Sequence, residues 1–373
     1  MSAFQPFAME RYMSAWEQEV EYNLSESGVH PMLLSELLAL KDGSLEELLA
    51  TDINYAHANG RPELRENIAR MYEEATADNV LVTVGAIEAN YNTLRTLLSK
   101  GDEVVIQLPN YMQVWGVAKN HDYLVRTFSL LEEKHWEPDL NGLEDAVTEK
   151  TKLIAICNPN NPTGRIFTGP EMDAIIRIAD RAGAWILADE VYAGVEQRTE
   201  EQTPSFYGRY DKVLAVGSMS KAYGLPGLRT GWVVGPPDII EQVWARHEYN
   251  TLSATMLSNK LAALALSPEI RPMIRQRARD YVRRGFPILK EWMSRQNGNL
   301  RCVPPDAAAI AFIKYDLDIK SSDLVMRLIH EQSVMVVPGD HFGLDGFLRV
   351  SFGLPEDYLR GGLERISSVL SKI

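Results

Sequence analysis

Cysteine is nearly absent from this sequence: Cys157 and Cys302 are the two in 373 residues. So distant a pair gives neither a disulfide framework nor the spacing of metal ligands, so no metal is expected and the reducing cytoplasm is the expected compartment. Long apolar runs are missing as well. None approaches the ~20 residues of a membrane span, and Met1 to Glu21 carries acids and aromatics where an export signal needs a basic and then an apolar stretch. Neither export nor a membrane anchor is expected. Positive charge is in deficit, and the formal net charge of -13 repels a phosphate backbone at every approach. No cluster of basic and aromatic residues offsets it, which argues against nucleic acid as a partner. Internal repeats and low-complexity tracts are also lacking. What is present is ordinary globular material, 45% apolar and 24% charged, in a length that suggests two domains.

From Asn79 to Gly235 short apolar runs alternate with amphipathic stretches: Val80–Val84, Val104–Gln107, Leu153–Cys157, Trp185–Asp189, Val213–Gly217 and Trp232–Gly235. That rhythm predicts an α/β domain with a mostly parallel sheet covered on both faces. Ile87, Tyr91, Leu94, Leu97 and Leu98 fall at helical spacing, as does the stretch from Met172 to Ala182 behind Pro170. Residues 33–50 and 61–75 read as helices, and a long helical region runs from Ser253 to Arg295 with a break at Ser267–Pro268. The C-terminal part predicts strands at Ala309–Tyr315, Val334–Val337 and Phe347–Phe352, with helices at Ser322–Glu331 and from Glu356. This is a smaller α+β unit, joined by the N-terminal segment. The basic stretch containing Arg271, Arg275, Arg277, Arg279, Arg283 and Arg284 reads as a solvated helix face paired with acids.

Five segments carry chemistry. Lys221 follows an apolar strand and stands among Ser, Gly and Pro, with Ser218, Ser220 and Arg229 close by. A lysine so placed can be desolvated and attack an aldehyde, while hydroxyls and a guanidinium suit a phosphate ester. Asp189 ends the run Trp185–Asp189, where a parallel sheet presents its ligands, and a carboxylate there wants a cationic partner such as a protonated pyridine. Glu190 points to the opposite face and reads as structural. The turn Cys157-Asn-Pro-Asn-Asn161-Pro-Thr-Gly164 offers the Asn161 amide to a phenolate oxygen that Tyr192 can share. Gly85, between a strand and a helix, offers backbone N–H groups and a helix dipole to a phosphate. Arg349 sits inside the apolar strand Gly346–Phe352 and suits a carboxylate.

Together these segments resemble fold-type I pyridoxal-phosphate enzymes, and among them the class I/II aminotransferases related to aspartate aminotransferase. The likeness runs from about Asn54 to Phe352. It implies a seven-stranded, mostly parallel, doubly covered sheet in a large cofactor-binding domain at 46–265, with a small domain at 266–373 that 1–45 joins. It implies that Lys221 forms the imine with pyridoxal 5′-phosphate and shuttles the proton between substrate Cα and C4′. Asp189 then pairs with the pyridine nitrogen, and Tyr192 and Asn161 bond the 3′-oxygen. Tyr111, in a Pro-x-Tyr turn, stacks on the ring. Gly85, Ala86 and Ile87, with Ser218 and Arg229, hold the phosphate, and Arg349 clamps the substrate carboxylate. Tyr55 reaches the phosphate from the partner subunit, which implies a homodimer with shared sites. Tyr249 to Thr255 is expected to cross into the partner's site as well, because the chain leaves the large domain there. An α-amino acid and a 2-oxo acid are the implied substrates.

Two segments depart from the family pattern. Asn23 to Pro31 stands where a Gly-x-Pro loop is common, with Gly28 as the glycine that serves, and Pro305 to Ala309 replaces a glycine-rich turn. The first resembles amino-acid-tailoring relatives such as capreomycidine synthase, so elimination, cyclisation or oxidation on the same cofactor is the alternative to transamination. A regulatory copy without catalysis is a third class, opposed by the presence of Lys221, Asp189, Tyr192, Arg229 and Arg349 together. His30 reads as a bystander.

Overall fold

The computed structural model describes residues 4–373. Its main sheet has eight strands, in the order Val80–Thr83, Gly231–Val234, Val213–Ser218, Trp185–Asp189, Thr151–Cys157, Glu103–Leu108, Leu124–Leu131 and Glu137–Pro138. The run from Val213–Ser218 to Leu124–Leu131 is parallel, and the pairs at either side are antiparallel. The apolar runs mark six of these strands and the resemblance implies seven; Leu124–Leu131 and the two-residue edge Glu137–Pro138 make up the eight.

Side-chain alternation makes the central strands two-sided. Leu153, Ala155 and Leu187 pack with the helices Gly85–Leu97 and Pro237–His247, while Ile154, Ile156, Ile186 and Ala188 pack with Gly169–Ala182. Strands buried on both faces read as continuous apolar runs, which is why they are visible in the sequence. The helix Gly169–Ala182 starts on a reciprocal cap: Thr168 Oγ1 accepts from the Glu171 N–H, and the Glu171 carboxylate accepts from the Thr168 N–H at 2.6 Å. Gly183, at φ 63°, ends it in a left-handed turn.

The second sheet is antiparallel, in the order Leu300–Cys302, Ile310–Tyr315, Phe347–Ser351 and Val337–Pro338, with Arg271–Ser294, Ser321–Gln332 and Glu356–Leu370 as its neighbouring helices. The N-terminal segment enters here, Tyr22–Asn23 pairing in parallel with Val334–Met335. The expected helix at 33–50 is two short ones, Leu34–Leu38 and Ser44–Leu49, and Val334–Val337 divides into two bridges of two residues each. The arginine stretch is not wholly a solvated face. Arg279 is buried against Glu196 at 2.5 Å and reaches Glu200 at 2.9 Å, and Arg277 donates to the His30 carbonyl. No helix among the described residues is long and apolar enough to cross a membrane.

Candidate active site

The parallel strands end on one side of the sheet, and the loops that follow them enclose a cavity of about 310 Å³. Asp189 closes its strand beside Cys157, and its carboxylate takes hydrogen bonds from two neutral donors, Asn90 Nδ2 at 3.0 Å and the Val191 N–H at 3.3 Å. Burial pushes the Asp189 carboxyl above its usual range, against the pull of those two bonds and of Lys221. A carboxylate so placed favours a cation beside it.

Lys221 lies in the loop after Val213–Ser218, its Nζ on the cavity and 3.7 Å from Glu26 Oε2. Ser218 Oγ accepts from the Ser220 N–H at 3.0 Å, fixing the turn that presents the lysine. Arg229 adopts φ 46° at the end of a short 3-10 turn, which swings its guanidinium towards Gly85, the first residue of the helix Gly85–Leu97. Gly85 has φ +78°, and a Cβ there would stand 2.7 Å from an Arg229 nitrogen. The space between helix N-terminus and guanidinium therefore exists because residue 85 lacks a side chain. Both groups attract an anion.

Arg349 also lines the cavity and is 3% exposed. One terminal nitrogen donates to Asn161 Oδ1 at 3.0 Å and the other to the Ser25 carbonyl at 2.6 Å, while Nε has no hydrogen-bond partner among the described residues. Tyr192 is buried, its hydroxyl donating to Ser27 Oγ at 2.9 Å; burial pushes its phenol up and the Arg349 charge opposes this. Tyr111 lines the cavity and donates to Glu10 Oε1 at 2.6 Å, with Phe7 packed on its ring at 5.0 Å. Ala86, Ile87, Asn161 and Ser218 complete the set of expected residues on this cavity.

Four expected residues do not line this cavity: Gly85, which stands beside Arg229, and Gly28, Tyr55 and Tyr249. Gly28 is on an adjoining cavity, because the Val29 N–H donates to the Lys221 carbonyl at 3.2 Å and draws the loop behind the lysine. A Cβ on Gly28 would stand 2.9 Å from the Ser220 carbonyl oxygen, so the glycine serves this close approach. Tyr55 is 81% exposed and off the cavity of its own chain, and Tyr249 is exposed as well. His30 is held by backbone bonds to Gly353 and Arg277 with its ring near Tyr281, and burial lowers its affinity for a proton. Sequence reasoning missed Asn90, Ser27, Glu10, Glu17 and Glu26. An Asn inside the helical apolar stripe of 87–98 and the unusual Ser25–His30 loop were the available signals for three of them, Asn90, Glu26 and Ser27.

The donor set fits a flat cation carrying a phosphate. Asp189 faces the site with neutral partners, the Gly85–Arg229 gap suits a phosphate, and the free Arg349 Nε points to a carboxylate. The comparisons agree. Capreomycidine synthase of Streptomyces vinaceus is 31% identical over 370 residues, 97% of this chain and 91% of that protein. An aspartate aminotransferase of Streptomyces avermitilis is 29% identical over 336 residues, 85% and 82% of the two chains. The solved structure of a PLP-dependent aminotransferase from Streptococcus suis superposes with a TM-score of 0.93 at 30% identity, covering 99% of this chain and 98% of that one. The family model described as Aminotransferase class I and II matches residues 37–366, and the chain belongs to that family of fold-type I enzymes, whose cofactor is pyridoxal 5′-phosphate.

Proposed function

We propose that this chain transfers the amino group of an α-amino acid to a 2-oxo acid, with Lys221 as the residue that carries the cofactor and moves the proton. The observation that carries the reading is the convergence of Lys221, Asp189, Tyr192, Asn161, Arg229 and Arg349 on one cavity from separate loops. Pyridoxal phosphate, when bound, supplies an electron-poor ring that accepts the electron pair left behind as the α-proton departs. Asp189 holds the proton on the ring nitrogen, since a buried carboxylate with neutral partners favours a positive neighbour. Tyr192 and Asn161 bond the 3′-oxygen. Tyr111 would lie against the ring face, and Gly85, Ala86, Ile87, Ser218 and Arg229 would hold the phosphate. Arg349 binds the substrate carboxylate through its free Nε, its plane fixed by Asn161 and Ser25. With the cofactor in place, Lys221 Nζ would be the group that takes the proton from substrate Cα and returns it at C4′. Met9 and Met13, from the helix Ala8–Trp16, line the same cavity and exclude water from it.

The working unit in this reading is a homodimer in which Tyr55 reaches the phosphate of the partner's site. Its exposure in the single chain supports this. A second reading, elimination or cyclisation on the same cofactor, is favoured by the likeness to capreomycidine synthase across 97% of the chain. The two are separated by giving the enzyme an amino acid and no oxo acid. Transamination predicts one stoichiometric conversion of the ~420 nm band to one near ~330 nm, with release of the 2-oxo acid. Continued turnover with ammonia or a cyclic product would overturn it in favour of the second reading.

A further inference from the structure

Three carboxylates on the cavity are not used by any role assigned above. Glu10 comes from the helix Ala8–Trp16, Glu17 follows that helix, and Glu26 precedes Ser27; all three line the same cavity as Lys221 and Arg349. Glu10 accepts the Tyr111 hydroxyl. Glu26 has Lys221 as its cationic neighbour, at 3.7 Å, and that lysine is committed to the cofactor and to proton transfer. Partial burial raises the Glu17 carboxyl first, then the like charges of Glu26 and Glu10, with Lys221 opposing. The cations on the cavity are Lys221, Arg229 and Arg349; Glu26 and Glu10 act on the Arg349 charge, yet all three cations have other tasks in the reading above.

Arg349 gives an independent pointer to the ligand. Arg349 is 3% exposed and its Nε is unpartnered, which suits a carboxylate. Beyond Glu17 and Glu26 the space continues, since both also line the adjoining cavity with Gly28, His30 and Tyr358. A ligand held by Arg349 thus shares one cavity with these carboxylates, and past Glu17 and Glu26 there is room for a long side chain.

We propose that the amino acid this enzyme takes carries a cationic side chain, an ammonium or a guanidinium, which Glu17 and Glu26 receive. This rests on the reading of the cavity as an amino-acid site. A dicarboxylic donor would set its own side-chain charge against three like charges, and a neutral one would leave them unmatched.

The test is a spectral titration of the holoenzyme, following the cofactor band and needing no turnover. Lysine, ornithine and arginine are compared with their neutral counterparts norleucine and citrulline, and with glutamate. The cationic amino acids are expected to half-saturate at concentrations roughly tenfold to a hundredfold below the neutral ones, with glutamate weakest. Lysine and ornithine against arginine distinguish an ammonium site from a guanidinium site. Glu17→Gln and Glu26→Gln should each shrink the ratio between arginine and citrulline about tenfold. The wild-type panel decides the matter even where a variant does not fold. Citrulline binding as well as arginine and norleucine as well as lysine, or glutamate binding better than the cationic acids, overturns this proposal and leaves the amino-acid reading standing. No spectral response to any amino acid overturns both.

Discussion

Asp189 and Glu190 are adjacent carboxylates that the strand sends in opposite directions, and their surroundings give them different work. Asp189 opens on the cavity, whereas Glu190 Oε1 accepts from the Ser205 hydroxyl and the Phe206 N–H, both at 2.9 Å, and ties down the loop below the sheet. Burial pushes the Glu190 carboxyl up to about 8, against these two bonds, from an ordinary value of 4.5. The folded chain therefore keeps a proton that the unfolded chain loses above 4.5. The stability tied to that proton is fully present below 4.5, falls as pH rises, and is gone once the pH passes about 8. Glu190→Gln keeps an acceptor oxygen and cannot ionise, so urea unfolding at a series of pH values should give it a flatter profile and more stability than the parent at the alkaline end. Equal slopes would show that Glu190 does not set the alkaline decline. At this scale the residues that follow apolar strands, Asp189, Asn161, Ser218 and Lys221, were legible because turn chemistry after a buried run marks a site. Glu10 and Glu17 were not, since only tertiary packing brings them to the cavity.

Elements were legible in proportion to their burial. The strands Val80–Thr83, Thr151–Cys157 and Val213–Ser218 are almost wholly buried and read as apolar runs. Leu124–Leu131 lies near the edge, with Leu124, Arg126, Thr127 and Ser129 exposed, so it shows neither a run nor an alternation and was missed. Ala8–Trp16 buries only Met9 and Met13, too narrow a stripe to declare a helix, yet it forms the roof of the cavity and brings Glu10. The long helical region was correctly divided near Ser267–Pro268, since the structure has Met256–Ala265 and Arg271–Ser294. The loop holding Gly28 was recognised as unusual, but its seat behind Lys221 follows from the Val29 bond to the lysine carbonyl, a contact across the fold.

For the whole molecule, nine of the fifteen exposed large apolar residues among the described ones fall in two segments, Leu33 to Tyr55 and Tyr249 to Leu257. Lys260 Nζ joins these regions, donating to the Glu47 carbonyl at 3.1 Å and Thr51 Oγ1 at 2.6 Å. An apolar patch of this kind is what a subunit interface leaves on a single chain, and it supports the proposed dimer. Co-expressing Lys221→Ala with Tyr55→Ala chains should restore about a quarter of the parent's active sites, because a mixed dimer assembles one site with both residues intact. Activity no greater than that of the separate variants would place Tyr55 and Lys221 in the same chain's site or remove Tyr55 from it. The central claim is that the cavity is a cofactor site centred on Lys221, and reduction with borohydride followed by peptide mass mapping tests it most directly. The yellow band near ~420 nm should vanish, with the mass of reduced cofactor fixed to the peptide holding Lys221, and no label in Lys221→Ala. A label on any other lysine, or none despite bound cofactor, would contradict it.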